Sequence, residues 1–230
     1  MNKIFYLFLL FLFCSLDVFG QYESIEKEAA NVLLVSENKY DSTIDLEKLN
    51  NIFSVADKAD LEKKYKVSTE EFDSLKNHFA QLVRMTTFGG SDNNNIPVDS
   101  AMYLFNQWYL HLSNTFYEYR KEKFFSSKGT KILLFSTSMS CSCTLELCRK
   151  QLIDILHFVK RNNYKYDYWI VDSYEHNELQ IKFETYFSPS VVVLNGNNEV
   201  LLKIEYEEKM KEELVEFLKK NLKTGELDDE

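Results

Sequence analysis

The chain has 230 residues, 36 acidic and 27 basic, for a net charge of −9, and a hydrophobic share of 45%. That balance belongs to a globular protein rather than a disordered one. With two prolines, six glycines and four cysteines it also excludes collagen-like, proline-rich and disulfide-dense scaffolds. An acidic chain lacks the clustered cations that neutralise phosphates, so general nucleic-acid binding is excluded as well.

Met1-Asn2-Lys3 gives a short positive start, and Ile4 to Cys14 is an unbroken apolar run of eleven residues. A membrane-spanning helix takes about 20 apolar residues. The run instead has the length of a signal-peptide apolar region, and Ser15 to Gly20 turns more polar and ends on a small residue. Residues 1–20 are therefore expected to be a signal peptide cleaved after Gly20, which places the protein in an exported, periplasmic setting. Membrane attachment would arise only through an uncleaved N-terminus, or through lipidation at Cys14, where bulky Phe13 stands in place of the usual small residue. Removing the segment leaves Cys141, Cys143 and Cys148, all within eight residues. An oxidising compartment lets paired thiols persist as disulfides. Three is an odd number, so one thiol stays unpaired or pairs transiently. With no cysteine elsewhere in the mature chain, a long-range staple is impossible and chemistry is the better use.

Residues 21–125 carry helical patterning. Tyr22 to Glu37 places Ile25, Ala29, Val32 and Leu33 at helical spacing. Ser68-Thr69-Glu70-Glu71 is a capping box opening an amphipathic stretch with Phe72, Leu75, Phe79, Leu82 and Val83 on one face. The polar breaker Gly89 to Asn95 follows, and Pro97 with Asp99 starts another helix. Its stripe of Met102, Phe105, Trp108, Tyr109, Leu112, Phe116 and Tyr119 is expected to pack into a core. His78 and His111 stand singly on these helices and are expected to be structural or surface residues.

From Lys131 the pattern alternates. Lys131 to Ser136 is a buried strand, Thr144 to Asn163 a long helix, Tyr166 to Asp172 a second strand, and Asn177 to Phe187 a short helix with Leu179, Ile181, Phe183 and Tyr186. A third strand, Val191 to Leu194, leads into the turn Asn195-Gly196-Asn197-Asn198, whose Asn-Gly is the strongest short-range hairpin signal. Glu199 to Tyr206 forms the fourth strand, and Glu207 to Leu222 a charged helix with Met210, Leu214, Phe217 and Leu218. The expected order is β-α-β-α-β-β-α, an α/β class. Residues 224–230 form an acidic tail.

This order, with cysteines between the first strand and first helix, resembles the thioredoxin fold over residues 126–223, with 21–125 as a helical N-terminal region. The segment KILLFSTSMSCSC sets cysteines directly after a buried strand, and Pro189 stands just before the third strand, 46 residues beyond Cys143. The family has a cis-proline there, facing the active-site cysteines. The resemblance implies thiol–disulfide exchange with exported protein clients and with a redox partner that resets the site. It also implies substrate binding at Ser188 and Pro189, where an extended segment meets backbone groups. An ordinary trans Ser188–Pro189 bond is the alternative.

The motif departs from the family's Cys-x-x-Cys: here it is Cys141-Ser142-Cys143, preceded by Ser140. A thiol at a helix N-terminus faces unpaired N–H groups and the positive dipole end, which stabilise a thiolate. Such a thiolate attacks a disulfide and a neighbouring thiol resolves the mixed species. Cys141 is the expected nucleophile and Cys143 the resolver. A bridge across one residue closes a small strained ring, which points to an oxidising or isomerase-like potential. Cys148 is either a buried inert thiol or, if the loop before the helix runs long, the resolving one. Two other readings remain open. One is a catalytically weak thioredoxin-like binding module, and the other a Cu(I)-handling site built from the cysteines with Met139, although the nearest histidine, His157, is distant. Zinc would want four ligands, so no metal or other cofactor is assigned. The buried carboxylate that assists proton transfer in thioredoxins has no counterpart assigned here: Asp172 ends the second strand and Glu146 sits in the first helix, and neither receives a role.

Overall fold

The computed structural model describes residues 21–37, 53, 58–87 and 98–225. The expected signal peptide 1–20, the breaker at 89–95, Pro97 and tail residues 226–230 lie outside the described residues. Among the described residues, five helices precede the first strand: α1 Gln21–Glu37, α2 Lys58–Tyr65, α3 Thr69–Thr87, α4 Val98–Thr115 and α5 Tyr117–Ser126. The remainder runs β1 Lys131–Ser136, α6 Ser142–Arg161, β2 Asp167–Asp172, α7 Asn177–Phe183, β3 Ser190–Leu194, β4 Val200–Glu205 and α8 Met210–Gly225. Among the described residues, no helix is long and apolar enough to cross a membrane.

Local chemistry sets these boundaries. The capping box at α3 forms in full: the Ser68 N–H donates to the Glu71 carboxylate at 2.9 Å and the Glu71 N–H to the Ser68 hydroxyl at 3.2 Å. The expected single stripe from Met102 to Tyr119 is instead two helices. The Thr115 hydroxyl bonds back to the His111 carbonyl at 2.9 Å, and Phe116 leaves helical geometry at φ −101°, ψ 19°. α7 is likewise shorter than its apolar spacing suggested. Glu184 turns into the left-handed region at φ 53° and ends the helix after Phe183. Leu179 and Phe183 are buried, whereas Ile181 and Tyr186 face solvent.

The four strands form one open mixed sheet in the order β2-β1-β3-β4. β1 runs parallel to β2 and antiparallel to β3, and β4 lies antiparallel along β3. Side chains alternate between its faces, as a two-residue period requires. Ile132, Leu134, Tyr168, Ile170, Val191 and Val193 join the core beneath α1, α3, α4, α6 and α8. Leu133, Phe135, Trp169, Val171, Val192 and Leu194 meet Tyr117, Phe124, Leu179 and Phe183 of α5 and α7 on the other face. Both faces are covered, which explains the continuous apolar run of β1. The first cluster passes without interruption from the N-terminal helices into the sheet, across the boundary expected after residue 125. The aromatic stripe is core, as expected: Phe105, Trp108, Tyr109, Leu112 and Phe116 are buried, and the Trp108 indole N–H donates to the Leu75 carbonyl at 3.2 Å.

A buried ionic group fastens the helices to β2. The Arg120 guanidinium lies 3.5 Å from Glu26 and 3.7 Å from Asp167, donates to the Tyr168 carbonyl, and lies 5.8 Å and 6.0 Å from the ring centres of Tyr22 and Tyr168. At the far end of the sheet, β3 and β4 are joined through the expected turn residues Asn195 to Asn198. Asn195 accepts the Asn197 and Glu199 N–H groups through its side chain, both at 2.9 Å, and Asn198 takes the left-handed position at φ 66°. Gly196 is required by a close approach of another segment. A Cβ there would come within 2.1 Å of the Lys128 carbonyl oxygen.

Candidate functional site

The end of β1, the start of α6 and the loop before β3 converge on one surface. Cys141 is the N-cap of α6, with extended backbone at φ −66°, ψ 157°, and its carbonyl accepts the Leu145 N–H at 3.0 Å. The helix therefore begins at Ser142, earlier than its apolar spacing indicated, and Cys143 lies in its first turn. Both cysteines are exposed free thiols, with their sulfurs 2.8 Å apart. The Thr144 hydroxyl lies 3.2 Å from the Cys141 sulfur. The Cys141 thiol is held down at about 6, first by the hydrogen bond from Cys143, then by the Thr144 hydroxyl and the backbone N–H groups of Thr144 and Cys143. An exposed cysteine at a helix N-terminus, surrounded by donors, meets the requirements of a reactive thiolate.

Cys148 differs in each respect. It is buried beside the Ser136 hydroxyl and the Thr137 backbone, and burial pushes its thiol up to about 11 despite those two neighbours. The structure does not bring it to the exposed pair, so of the two sequence alternatives its surroundings are those of the inert thiol. Met139 is 61% exposed at the loop crest.

The loop carrying the cysteines is fixed by Asp172, to which sequence reasoning assigned no role. The Asp172 carboxylate is fully buried and accepts the Ser138 N–H at 3.0 Å, the Tyr174 N–H at 3.1 Å and the Asn114 side-chain amide at 3.2 Å. One acid at the end of β2 thus ties together the loops after β1 and β2 and helix α4. Glu146 forms an ion pair with Arg149 one turn along α6, at 3.0 Å through Nε.

Ser188–Pro189 is a cis peptide, as the resemblance implied. The Ser188 hydroxyl is engaged by the Ser173 hydroxyl at 2.7 Å and by the Gln180 amide at 3.2 Å. The Pro189 carbonyl accepts the Tyr206 N–H at 2.9 Å. Between this loop and the cysteine loop lies an open cleft of about 820 Å³, walled by Met139, Ser140 and Thr144 on one side and by Phe187, Ser188 and Tyr206 on the other. Tyr174 and Tyr186 also border it, and both are largely exposed. A second cleft of about 480 Å³ is lined by Ser140, Ser142, Leu145, Glu146, Arg149 and Tyr103 of α4. Ser140, next to Cys141 in the chain, borders both clefts.

Sequence reasoning missed Thr144, Tyr206 and Tyr103. Thr144 could have been noticed as the hydroxyl three residues after Cys141, but nothing in the sequence ties either tyrosine to the cysteines. It also treated His78 and His111 as single residues, whereas α3 and α4 bring their rings to 5.4 Å, edge to face. Burial, and secondly the neighbouring His78, lower the proton affinity of His111. Among the described residues, no three His, Cys, Asp or Glu side chains converge as metal ligands. Comparison of the chain with protein-family models and with characterised proteins gives no match.

Proposed function

We propose that this is an exported thioredoxin-like protein that exchanges disulfides with protein clients, Cys141 acting as nucleophile and Cys143 as resolver. The observation that carries the reading is the exposed pair at the N-terminus of α6, its sulfurs 2.8 Å apart and its first thiol held down at about 6. Support comes from the order of strands and helices, the sheet order β2-β1-β3-β4, and a cleft lined both by Ser188, next to the cis-proline, and by Ser140 and Thr144, which flank the cysteines.

The exchange is reversible, and in the direction that reduces a client the Cys141 thiolate attacks one sulfur of a client disulfide. A Cys141–client bond forms, the client S–S bond breaks, and the second client sulfur leaves as thiolate. Cys143, after giving up its proton, attacks the Cys141 sulfur, forms the Cys141–Cys143 bond and releases the client as a dithiol. Two electrons pass to the client, and a dithiol redox partner returns them in a second exchange. The aromatic cleft holds the client segment alongside Ser188, with backbone contacts setting its direction. The buried Cys148 takes no part. The same cleft suits a module that only binds clients, and one experiment separates the two. The Cys143→Ser chain, incubated with a disulfide-bearing peptide, should accumulate a mixed disulfide at Cys141 that mass spectrometry locates. Peptide binding without any such adduct would favour the binding module.

A further inference from the structure

Tyr206 stands 62 positions from Thr144 in the chain, yet its phenol oxygen lies 3.3 Å from the Thr144 hydroxyl. That hydroxyl is in turn 3.2 Å from the Cys141 sulfur. Three polar groups therefore form a chain from the far wall of the cleft to the exposed thiol. Its direction follows from donor inventory alone. A thiolate only accepts, so Thr144 must donate to Cys141 and its oxygen must accept from Tyr206.

The backbone at Tyr206 indicates that this placement is held rather than incidental. Tyr206 has φ 53°, the left-handed region that a bulky residue rarely occupies. It lies directly after β4, where its N–H is bound by the Pro189 carbonyl at 2.9 Å. Its ring lies 6.4 Å from that of Phe187 in the same loop. A residue kept in a sparsely populated conformation is retained only where its surroundings over-determine it, and such residues gather at functional sites. Here the surroundings are the proline loop, and the consequence is a phenol aimed at the cysteine segment.

We propose that Tyr206, acting through Thr144, is a positioning residue that stabilises the Cys141 thiolate and couples it to the proline loop. Hydrogen bonds to an ionised acceptor are the strong ones, and a donor that is itself polarised by a second hydroxyl is strengthened further. A client segment entering the cleft meets Phe187, Ser188 and Tyr206 on one wall, so its arrival also reaches the chain that tunes the nucleophile. The proposal rests on the exchange reading for its purpose, but the relay itself is measurable without any client.

The test is the pH dependence of Cys141 alkylation in the full, reduced chain, located by fragmentation mass spectrometry, for wild type, Tyr206→Phe, Thr144→Val and the double variant. Tyr206→Phe keeps the ring packing and removes only the hydroxyl. Both single variants should move the Cys141 midpoint upward. Thr144→Val should move it more, leaving roughly tenfold less thiolate below the midpoint if the shift is one unit. Thr144→Ser should restore it. In the double variant the Tyr206 change should add nothing, because its path to the sulfur is already cut. An unmoved midpoint in Tyr206→Phe, or an equal shift with and without Thr144, would overturn the relay. Exchange activity in wild type alongside an unmoved midpoint overturns the relay alone. Shifted midpoints in a chain that exchanges no disulfide would sustain the relay and overturn the proposed function.

Discussion

Replacing Arg120 by methionine should cost more stability than any surface change in the chain, and the structure says roughly how much. The Arg120 and Glu26 side chains are 3% and 9% exposed, and their ion pair joins α5 to α1 across the edge of β2. Burial alone would push the guanidinium toward losing its proton, but Glu26, Tyr22 and Asp167 raise it. Burial also lifts the Glu26 carboxyl above the usual range, with Arg120 pulling it back. Removing the cation leaves a buried carboxylate without its partner, a change that costs about 3–5 kcal/mol against a total stability of about 5–15 kcal/mol. In urea, with a slope of about 2 kcal/mol per molar, the midpoint should fall by about 1.5–2.5 M. The pH dependence gives an independent check. In the variant the folded state holds the Glu26 proton above the unfolded carboxylate value of about 4.3. Over that window the native state binds more protons than the unfolded one, so stability falls as pH rises. The deficit should therefore shrink when the melts are repeated in acid. A joint Glu26→Met and Arg120→Met replacement should recover most of the loss, because no unpaired charge remains between those two positions. A loss below about 1 kcal/mol, or one independent of pH, would refute the reasoning.

Further outcomes can be measured on the same protein. A thiol near 6 is mostly thiolate at pH 7, but its lower basicity weakens each attack. The alkylation of Cys141 should therefore exceed that of a free cysteine by about twofold at pH 7 and about tenfold at pH 6, and a midpoint above 8 would contradict the hydrogen-bond count at its sulfur. Cys148→Ala should leave the Cys141 profile unchanged, and in wild type Cys148 should alkylate only as the chain unfolds, which a urea series followed by mass spectrometry would show. Ser68→Ala should lower the urea midpoint by the equivalent of about 1 kcal/mol without altering cysteine reactivity.

The elements whose signals are local were legible before any coordinates. The Ser68–Glu71 box, the β1 run and the alternation after Lys131 each depend on residues a few positions apart; the first two form where their spacing indicated and the third keeps its expected order. The errors arise where a neighbour from elsewhere in the chain, or one backbone turn, decides. The Thr115 back-bond splits a helix whose apolar stripe is continuous, and Glu184 ends α7 while the apolar spacing runs on. The Asn195 to Asn198 turn forms where it was expected, but the approach of the Lys128 carbonyl to Gly196 has no local signal. The site divides in the same way. Cys141 and Cys143 are visible because they share a segment. Asp172, Tyr206 and Tyr103 reach that segment only through strand pairing and helix packing, and no periodicity encodes such a meeting.

The central claim is that Cys141 and Cys143 form a working redox pair. Its most direct measurement is a glutathione titration of the full chain, with the thiols quenched by acid and alkylated, and the oxidised fraction transferred to a reduced dithiol peptide. The account requires a Cys141–Cys143 disulfide that forms reversibly as the buffer becomes more oxidising and passes to the peptide as the pair regains its thiols. Cys141 remaining alkylatable across the whole series, or a disulfide that never leaves the protein, would contradict it.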